Sequence, residues 1–278
     1  MEPLFIQSPA NQRIKAVSKL WNRKEREARS MFLIEGLREL THAVQNGVGV
    51  GCIYYCPDLF KSDQHAEFIK IAESEPSVER VRLSPEAFKK LSYREGPDGL
   101  IGEADMHYFD IDEINPPPNP LFLIVDGVEK PGNLGAIIRS ADAAGVDAIF
   151  CCDLKTDIFN PNVIRSSQGL IFAMPVVVAD SRNLLDFMQH VGVITHATTP
   201  EGNKRFWDID FTGPSAIVMG AEDTGLTDFW LKSADTRAVI PMHGAADSLN
   251  VNAAAVVTLF EAARQRNLGS GDIPTSEG

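Results

Sequence analysis

The chain has 278 residues, 44% of them hydrophobic and 23% charged, and a net charge of −12. That length and composition suit a globular protein able to build two cores; no apolar run reaches membrane-spanning length, and the acidic balance argues against a protein that coats nucleic acid non-specifically. The opening MEPLFIQSPANQR lacks a signal-peptide layout, and Cys52, Cys56, Cys151 and Cys152 lack zinc or redox spacing, so the expectation is a cytoplasmic protein with reduced, structural thiols.

The average hides a basic segment. Residues 10 to 30 hold Arg13, Lys15, Lys19, Arg23, Lys24, Arg26 and Arg29 against Glu25 and Glu27. Ser8 followed by Pro9 reads as the cap and first-turn proline of one helix running to about Arg29. On that helix Ile14, Val17, Leu20 and Trp21 share one face, while Lys15, Lys19, Arg23, Arg26 and Arg29 share the other. Most charged stripes are solvated faces, but here the single sign makes contact with nucleic-acid phosphates an equal reading.

Beyond it, FLIE, VGCIYYC, VERVRLS and GLIGEAD read as strands, separated by helices over GLRELTHAVQNG, residues 64 to 73 and SPEAFKKLS. The alternation predicts a small α/β domain over residues 1–112. INPPPNP, within residues 113–120, suits neither helix nor central strand and reads as an interdomain linker. Residues 121–268 resume with the strands LFLIVDGV, VDAIFCC, FAMPVVVA, GVITHAT, SAIVMGAE and TRAVIPM, mostly with helices between, which predicts a mainly parallel sheet covered on both faces. Ligands bind at the carboxyl ends of such strands. There lie the polar loops DGVEKPGNLG, HATTPEGN, GAEDTG and PMHGAADSLN. From Val251 to Phe260 only Asn252 and Thr258 are polar, so the final helix is expected to be buried on every side, within the subunit or against a partner. Asp247 or Ser248 reads as its N-cap, and residues 269–278 read as a disordered tail.

Gly127 and Gly132 have the GxxxxG spacing of a phosphate loop, but Asn133 and Leu134 replace the lysine and hydroxyl that loop requires, and no GxGxxG follows any strand. What remains is Asn133, Gly135 and Arg139 opening a helix. A surface ion pair is the plain reading of Arg139; the apolar character of the helix favours a specific contact.

NLGAIIRSADAAG, IVMGAEDTGL and IPMHGAADSLNVNAA resemble, in order and spacing, the three motifs of the SpoU (TrmH-like) branch of the SPOUT RNA methyltransferases. RSSQG, residues 165 to 169, matches a further family element, and residues 7 to 105 resemble that family's L7Ae-like substrate-binding domain. Asn252, Ala253 and Ala254 depart from the family, which often has a serine followed by a β-branched residue there. The resemblance implies an α/β protein with a small L7Ae-like amino-terminal domain and a carboxyl-terminal trefoil-knot methyltransferase domain. It further implies 2'-O-methylation of ribose in rRNA or tRNA, rRNA favoured, with S-adenosylmethionine as cofactor. A homodimer formed through the carboxyl-terminal domain is implied too, with no membrane and no metal.

By the family pattern the cofactor rests on backbone at Gly220, Ile240 and Leu249, with Thr198 and Met242 lining its pocket. Asn133, Ser248 and Asn250 surround the reacting ribose, with Arg139 and Glu222 completing the catalytic set. The motif arginine is usually given the base role, yet a guanidinium has a pKa above about 12 and stays protonated. Arg139 therefore reads better as a bidentate grip on the RNA phosphate that lowers the hydroxyl's pKa, the proton leaving to phosphate, water or Glu222. Lys15, Lys19, Arg23, Arg26, Arg29 and Arg165 are the expected RNA contacts. The rival readings are an RNA-binding knot without turnover and a base-methylating SPOUT enzyme.

Overall fold

A computed structural model describes residues 3–267. Its contacts divide the chain into two compact units, one taking the residues up to His107 together with Asp157–Ala173, the other Tyr108–Thr156 and the residues from Met174 onward.

The first unit contains β1 (Leu4–Ile6), α1 (Gln12–Val17), α2 (Arg23–Arg29), β2 (Met31–Glu35), α3 (Leu37–Gln45), β3 (Val50–Tyr55), α4 (Asp63–Glu73), β4 (Glu79–Leu83), α5 (Pro85–Leu91) and β5 (Leu100–Asp105). The sheet order is β1-β4-β3-β5-β2, with β4 parallel to both neighbours and β5 antiparallel to both. Ile14, Leu20, Leu33, Tyr54, Phe88 and Ile101 fill the core on one side of it. The three-residue β1 gave no periodicity to read in the sequence.

The basic segment is two short helices and not the single one expected. Asn11, not Ser8, caps α1 by accepting from Arg13 N at 2.8 Å. A 3-10 turn over Ser18–Trp21 follows. Asn22 then takes extended dihedrals (φ −92°, ψ 132°) and caps α2, accepting from Lys24 N. That break resets which residues share a face. Arg26 turns inward: only 2% exposed, it donates from Nη2 to Asp157 Oδ2 at 2.7 Å and from Nη1 to the Leu20 and Trp21 carbonyls. Arg23 pairs with Glu27, and Arg29 with Glu25. Arg26 is thus a structural cation, not an RNA contact. Of the expected stripe only the side chains of Lys15 and Lys19 are exposed with no partner among the described residues.

The second unit runs β6 (Leu121–Asp126), α6 (Pro131–Ala143) and β7 (Ala148–Cys152). The chain next passes through α7 (Pro161–Ser166), which packs with the first unit. It then forms β8 (Val176–Val178), α8 (Ser181–His190), β9 (Ile194–Thr198), β10 (Lys204–Arg205), β11 (Ser215–Met219), α9 (Asp228–Ser233), β12 (Thr236–Val239) and α10 (Val251–Asn267). Seven strands in the order β10-β12-β9-β11-β6-β7-β8 form a sheet whose pairings are all parallel. β6, β7 and β11 are buried along their whole length, as continuous apolar runs require. The proline-bearing stretch read as a linker falls inside this unit, with Ile111 and Ile114 packed on its core. The four cysteines are buried free thiols, and burial pushes Cys52 and Cys152 each up to about 12. The expected tail at 269–278 lies outside the described residues.

The expectation that α10 is covered on every side does not hold within one chain. Val251, Ala255, Thr258, Leu259 and Ala262 form a buried stripe at helical spacing, whereas Phe260 is 48% exposed and Val256 and Val257 are half-buried. An apolar sequence records the need for cover, not its source.

His196 on β9 is 4% exposed, and neither ring nitrogen has a hydrogen-bond partner among the described residues. Burial drives its pKa down to about 4, with Asp235 opposing. The fold therefore holds a neutral ring, while the unfolded chain takes up a proton below about pH 6.5, so stability is intact above that value and falls as pH drops toward about 4. Urea midpoints should show about 2 kcal/mol lost between about pH 7.5 and about pH 5 through this group. His196→Leu should remove that share; an equal acid loss in both proteins would assign it elsewhere.

Candidate active site

In the sheet order β12-β9-β11-β6, four neighbouring strands end at Val239, Thr198, Met219 and Asp126. Their following loops therefore gather at one edge, where an all-parallel sheet presents its ligand sites. A cleft of about 680 Å³ opens there, within the range of small-molecule sites. Thr198, Gly220, Ile240, Met242 and Leu249, the five residues expected to hold a cofactor, all line it, together with Glu222, Ser248 and Asn250.

On the cleft wall, Thr198 Oγ1 is buried with no hydrogen-bond partner among the described residues. A buried hydroxyl left unsatisfied is costly, so a polar ligand atom is what this position lacks. The wall is therefore compatible with a ligand that carries polar atoms, as an adenosyl group does. At Gly220 a Cβ would lie 2.3 Å from Gly225 C and from Leu226 N, so the loop's own backbone demands glycine there. Ala221 and Gly225 exchange two backbone hydrogen bonds of 2.9 and 3.0 Å that close this loop.

Asp126, a residue the sequence reading did not single out, fixes the far end of the same loop. Fully buried at the end of β6, it accepts from Thr227 N at 2.8 Å, and burial pushes its pKa up. The signal was present in the sequence as a lone carboxylate closing the apolar run LFLIV.

At the start of α6, Asn133 Nδ2 donates to Glu222 Oε1 at 2.6 Å, and Glu129 N reaches Oε2 at 3.3 Å. Burial raises the Glu222 pKa, but hydrogen bonds from Asn133 and from backbone amides outweigh it and leave the carboxyl below its ordinary range. Glu222 is then a weak proton acceptor and a firm anchor for Asn133. Ser248 is exposed at the cleft without a partner among the described residues. Asn250 caps α10, accepting from Asn252 N at 3.0 Å on its side chain and from Ala254 N at 2.9 Å on its carbonyl. Neither Asp247 nor Ser248 is that cap, a correction that follows from α10 starting at Val251.

Arg139 is exposed on α6, outside the residues lining the cleft, and has no ion pair or hydrogen bond among the described residues. The surface-ion-pair reading is therefore excluded there. Its neighbour Ser140 ties α6 to α10, with Oγ 3.0 Å from Asn252 Oδ1. Arg165 is exposed on α7 in the first unit. No group of three or more His, Cys, Asp or Glu suited to a metal occurs among the described residues.

The SpoU rRNA Methylase family profile matches residues 120–260, and that of the MRM3-like substrate binding domain matches residues 11–102. The 23S rRNA (uridine(2479)-2'-O)-methyltransferase of Streptomyces viridochromogenes is 31% identical over 257 residues, covering 90% of this chain and 88% of that protein. The 23S rRNA (guanosine(2553)-2'-O)-methyltransferase RlmP of Bacillus subtilis (strain 168) is 30% identical, covering 92% of this chain and 97% of its own. Among solved structures, the SpoU methyltransferase AviRb from Streptomyces viridochromogenes in complex with the cofactor AdoMet superposes with a TM-score of 0.84 at 30% identity, over 93% of this chain and 99% of that one. By profile and by overall identity, this chain belongs to the SpoU rRNA methylase family.

Proposed function

We propose that the protein is a cytoplasmic S-adenosylmethionine-dependent enzyme that methylates a ribose 2'-hydroxyl in RNA, ribosomal RNA being favoured over tRNA. The observation that carries this reading is the convergence of Thr198, Gly220, Ile240, Met242 and Leu249, from the ends of three separate strands, on one cleft beside the Asn133–Glu222 pair. The names of the Streptomyces and Bacillus relatives, both 23S rRNA 2'-O-methyltransferases, support the substrate class.

When bound, S-adenosylmethionine supplies a methyl group already activated by its sulfonium. The protein's task is then to present a 2'-oxygen in line and to ease removal of its proton. The cleft backbone around Gly220, Ile240 and Leu249 would hold the cofactor, with Thr198 Oγ1 available to it as a polar partner. Asn133, fixed by Glu222, and the free side chain of Ser248 orient the ribose. Arg139 grips the adjoining phosphate and stabilises the developing oxyanion. The proton leaves to the phosphate or to water, since hydrogen bonding to Glu222 has already lowered that carboxylate's basicity. The first unit selects the RNA, and its 2'-hydroxyl requirement confines the reaction to RNA.

The carboxyl-terminal unit is read as trefoil-knotted and dimeric. The strand order and the packing of α10 on α6 support the first point; the exposed Phe260 beside Val256 and Val257 supports the second, with Arg139, free of its own cleft, serving the partner's site. Phe260→Glu should convert a dimer to a monomer by light scattering with little loss of thermal stability, and an unchanged mass would place the interface elsewhere.

The test of the reaction is transfer of radiolabelled methyl from S-adenosylmethionine to total RNA of an unmodified host, followed by digestion to nucleosides. Label in a 2'-O-methyl nucleoside is expected. Label on a base would favour a base-methylating enzyme, and cofactor binding by calorimetry without label would favour an RNA-binding protein.

A further inference from the structure

Within the first unit, four of the exposed cations that have no ion pair among the described residues stand close to Trp21 and Tyr93, in sequence or in the crevice those rings line. Lys19 precedes Trp21 in the 3-10 turn; Lys89 and Lys90 end α5 just before Tyr93; Arg165 lies on α7. All four are exposed, and none has an ion pair among the described residues. Glu86 and Glu95 are exposed nearby, so on a chain of net charge −12 the four cations still outnumber these acids.

Beside Arg165 in the fold, and next to the lysines in the chain, stands an aromatic pair. Tyr93 is 43% exposed, its ring centroid 5.3 Å from that of Trp21 at an angle of 43°. Both are held from behind. Trp21 Nε1 donates to the Leu91 carbonyl at 2.7 Å, Tyr93 N donates to the buried Glu35 Oε2 at 2.9 Å, and the Tyr93 hydroxyl accepts from Asn162 Nδ2 at 3.0 Å. Trp21, Tyr93, Pro161 and Arg165 line one small crevice. An exposed aromatic ring fixed this firmly costs little further entropy on binding a flat partner. Every nucleobase offers such a face, while duplex RNA hides it within its own stack.

We propose that the surface around Tyr93 is a stacking platform for an unpaired base of the substrate RNA, with Arg165, Lys19, Lys89 and Lys90 holding the flanking phosphates. The proposal rests on the RNA-methyltransferase reading and adds to it that the recognised element is a loop, bulge or single strand. Arg165 supplies a planar fork for a phosphate, and the lysines supply sequence-independent attraction.

The test uses the full chain and, as probe, a single-stranded oligoribonucleotide of roughly ten nucleotides carrying one 2-aminopurine, with its perfectly paired duplex as comparison. Wild type should bind the single strand more tightly than the duplex and quench the 2-aminopurine. Tyr93→Ala should bind about tenfold more weakly and lose the quenching. Tyr93→Phe, which keeps the ring and loses only the hydroxyl, should retain both. A Lys89→Gln, Lys90→Gln double variant should bind with a shallower salt dependence while still quenching. Wild type that does not bind the single strand, equal binding by Tyr93→Ala, or a loss in Tyr93→Phe as large as in Tyr93→Ala would each overturn the platform. Methyl transfer to total RNA is scored separately: transfer without quenching overturns the platform alone, whereas quenching without transfer overturns the enzymatic reading and leaves the platform standing.

Discussion

Arg26→Ala is expected to destabilise the protein by about 3–5 kcal/mol, because it strands a buried carboxylate. Asp157 sits opposite Arg26 with its side chain 7% exposed, and the pair is joined by a single 2.7 Å hydrogen bond. The same substitution strips the Leu20 and Trp21 carbonyls of their donor at the break between the 3-10 turn and α2. Urea unfolding followed by far-UV circular dichroism would show the loss, and Asp157→Ala should match it in size. Arg26 Nε and Asp157 Oδ1 both lack partners among the described residues, so the pair is incompletely satisfied there. An Arg26→Met, Asp157→Leu double variant should therefore recover most of the lost stability. A loss under about 1 kcal/mol for Arg26→Ala would mean that Asp157 finds another partner or water.

Arg26 also marks where sequence reading stops. Helical periodicity placed it beside Lys15, Lys19 and Arg23, and nothing local contradicted that, since its partner lies 131 residues away. The Asn22 cap that breaks the helix was visible only as one polar residue among many. The strands of the second sheet were legible because buried parallel strands are continuous apolar runs of fixed length, whereas the three residues of β1 and the two of β10 carry too little pattern to read. The assignment of Asp157–Ala173 to the first unit left no local trace either. Periodicity reports which face an element buries, not which distant segment it meets.

The second large effect is on turnover. Arg139→Ala should lower the rate of methyl transfer by about 10²–10³-fold, the scale for removing one donor that stabilises developing negative charge. Because Arg139 is exposed and makes no bond among the described residues, unfolding free energy should change by no more than about 0.5 kcal/mol. S-adenosylmethionine affinity, measured by calorimetry, should also hold. Arg139→Lys preserves the charge and loses the planar fork, so an intermediate rate is expected. Near-normal turnover in Arg139→Lys would sink the bidentate grip, while a parallel fall in cofactor affinity would place Arg139 in cofactor binding instead.

The candidate site was more legible than its supports. Glu222, Ser248, Gly220, Ile240, Met242 and Leu249 stand in loops that follow predicted strands, while Thr198 ends β9 and Asn133 opens α6, so a correct sheet brings them to one edge. At Gly220 the structure adds a constraint that the sequence does not carry, the close approach of Gly225 and Leu226 from its own loop. Asn250 was read as an active-site side chain, while in the structure its carboxamide oxygen is occupied with capping α10. Capping and catalysis draw on the same polar residue types, and the sequence cannot separate them.

The membership of Asp157–Ala173 in the first unit also bears on how the protein is made. As the nascent chain leaves the ribosome, β1 to β5 emerge long before the segment that supplies Asp157, Phe159 and Gly169. Until then Arg26 has no counter-ion, Phe32 lacks the ring of Phe159 that packs 4.6 Å away, and the backbone of Glu39 awaits Gly169. The amino-terminal unit therefore cannot complete its core ahead of the strands β6 and β7 that precede that segment, and translation must deliver more than half the chain before either unit can close.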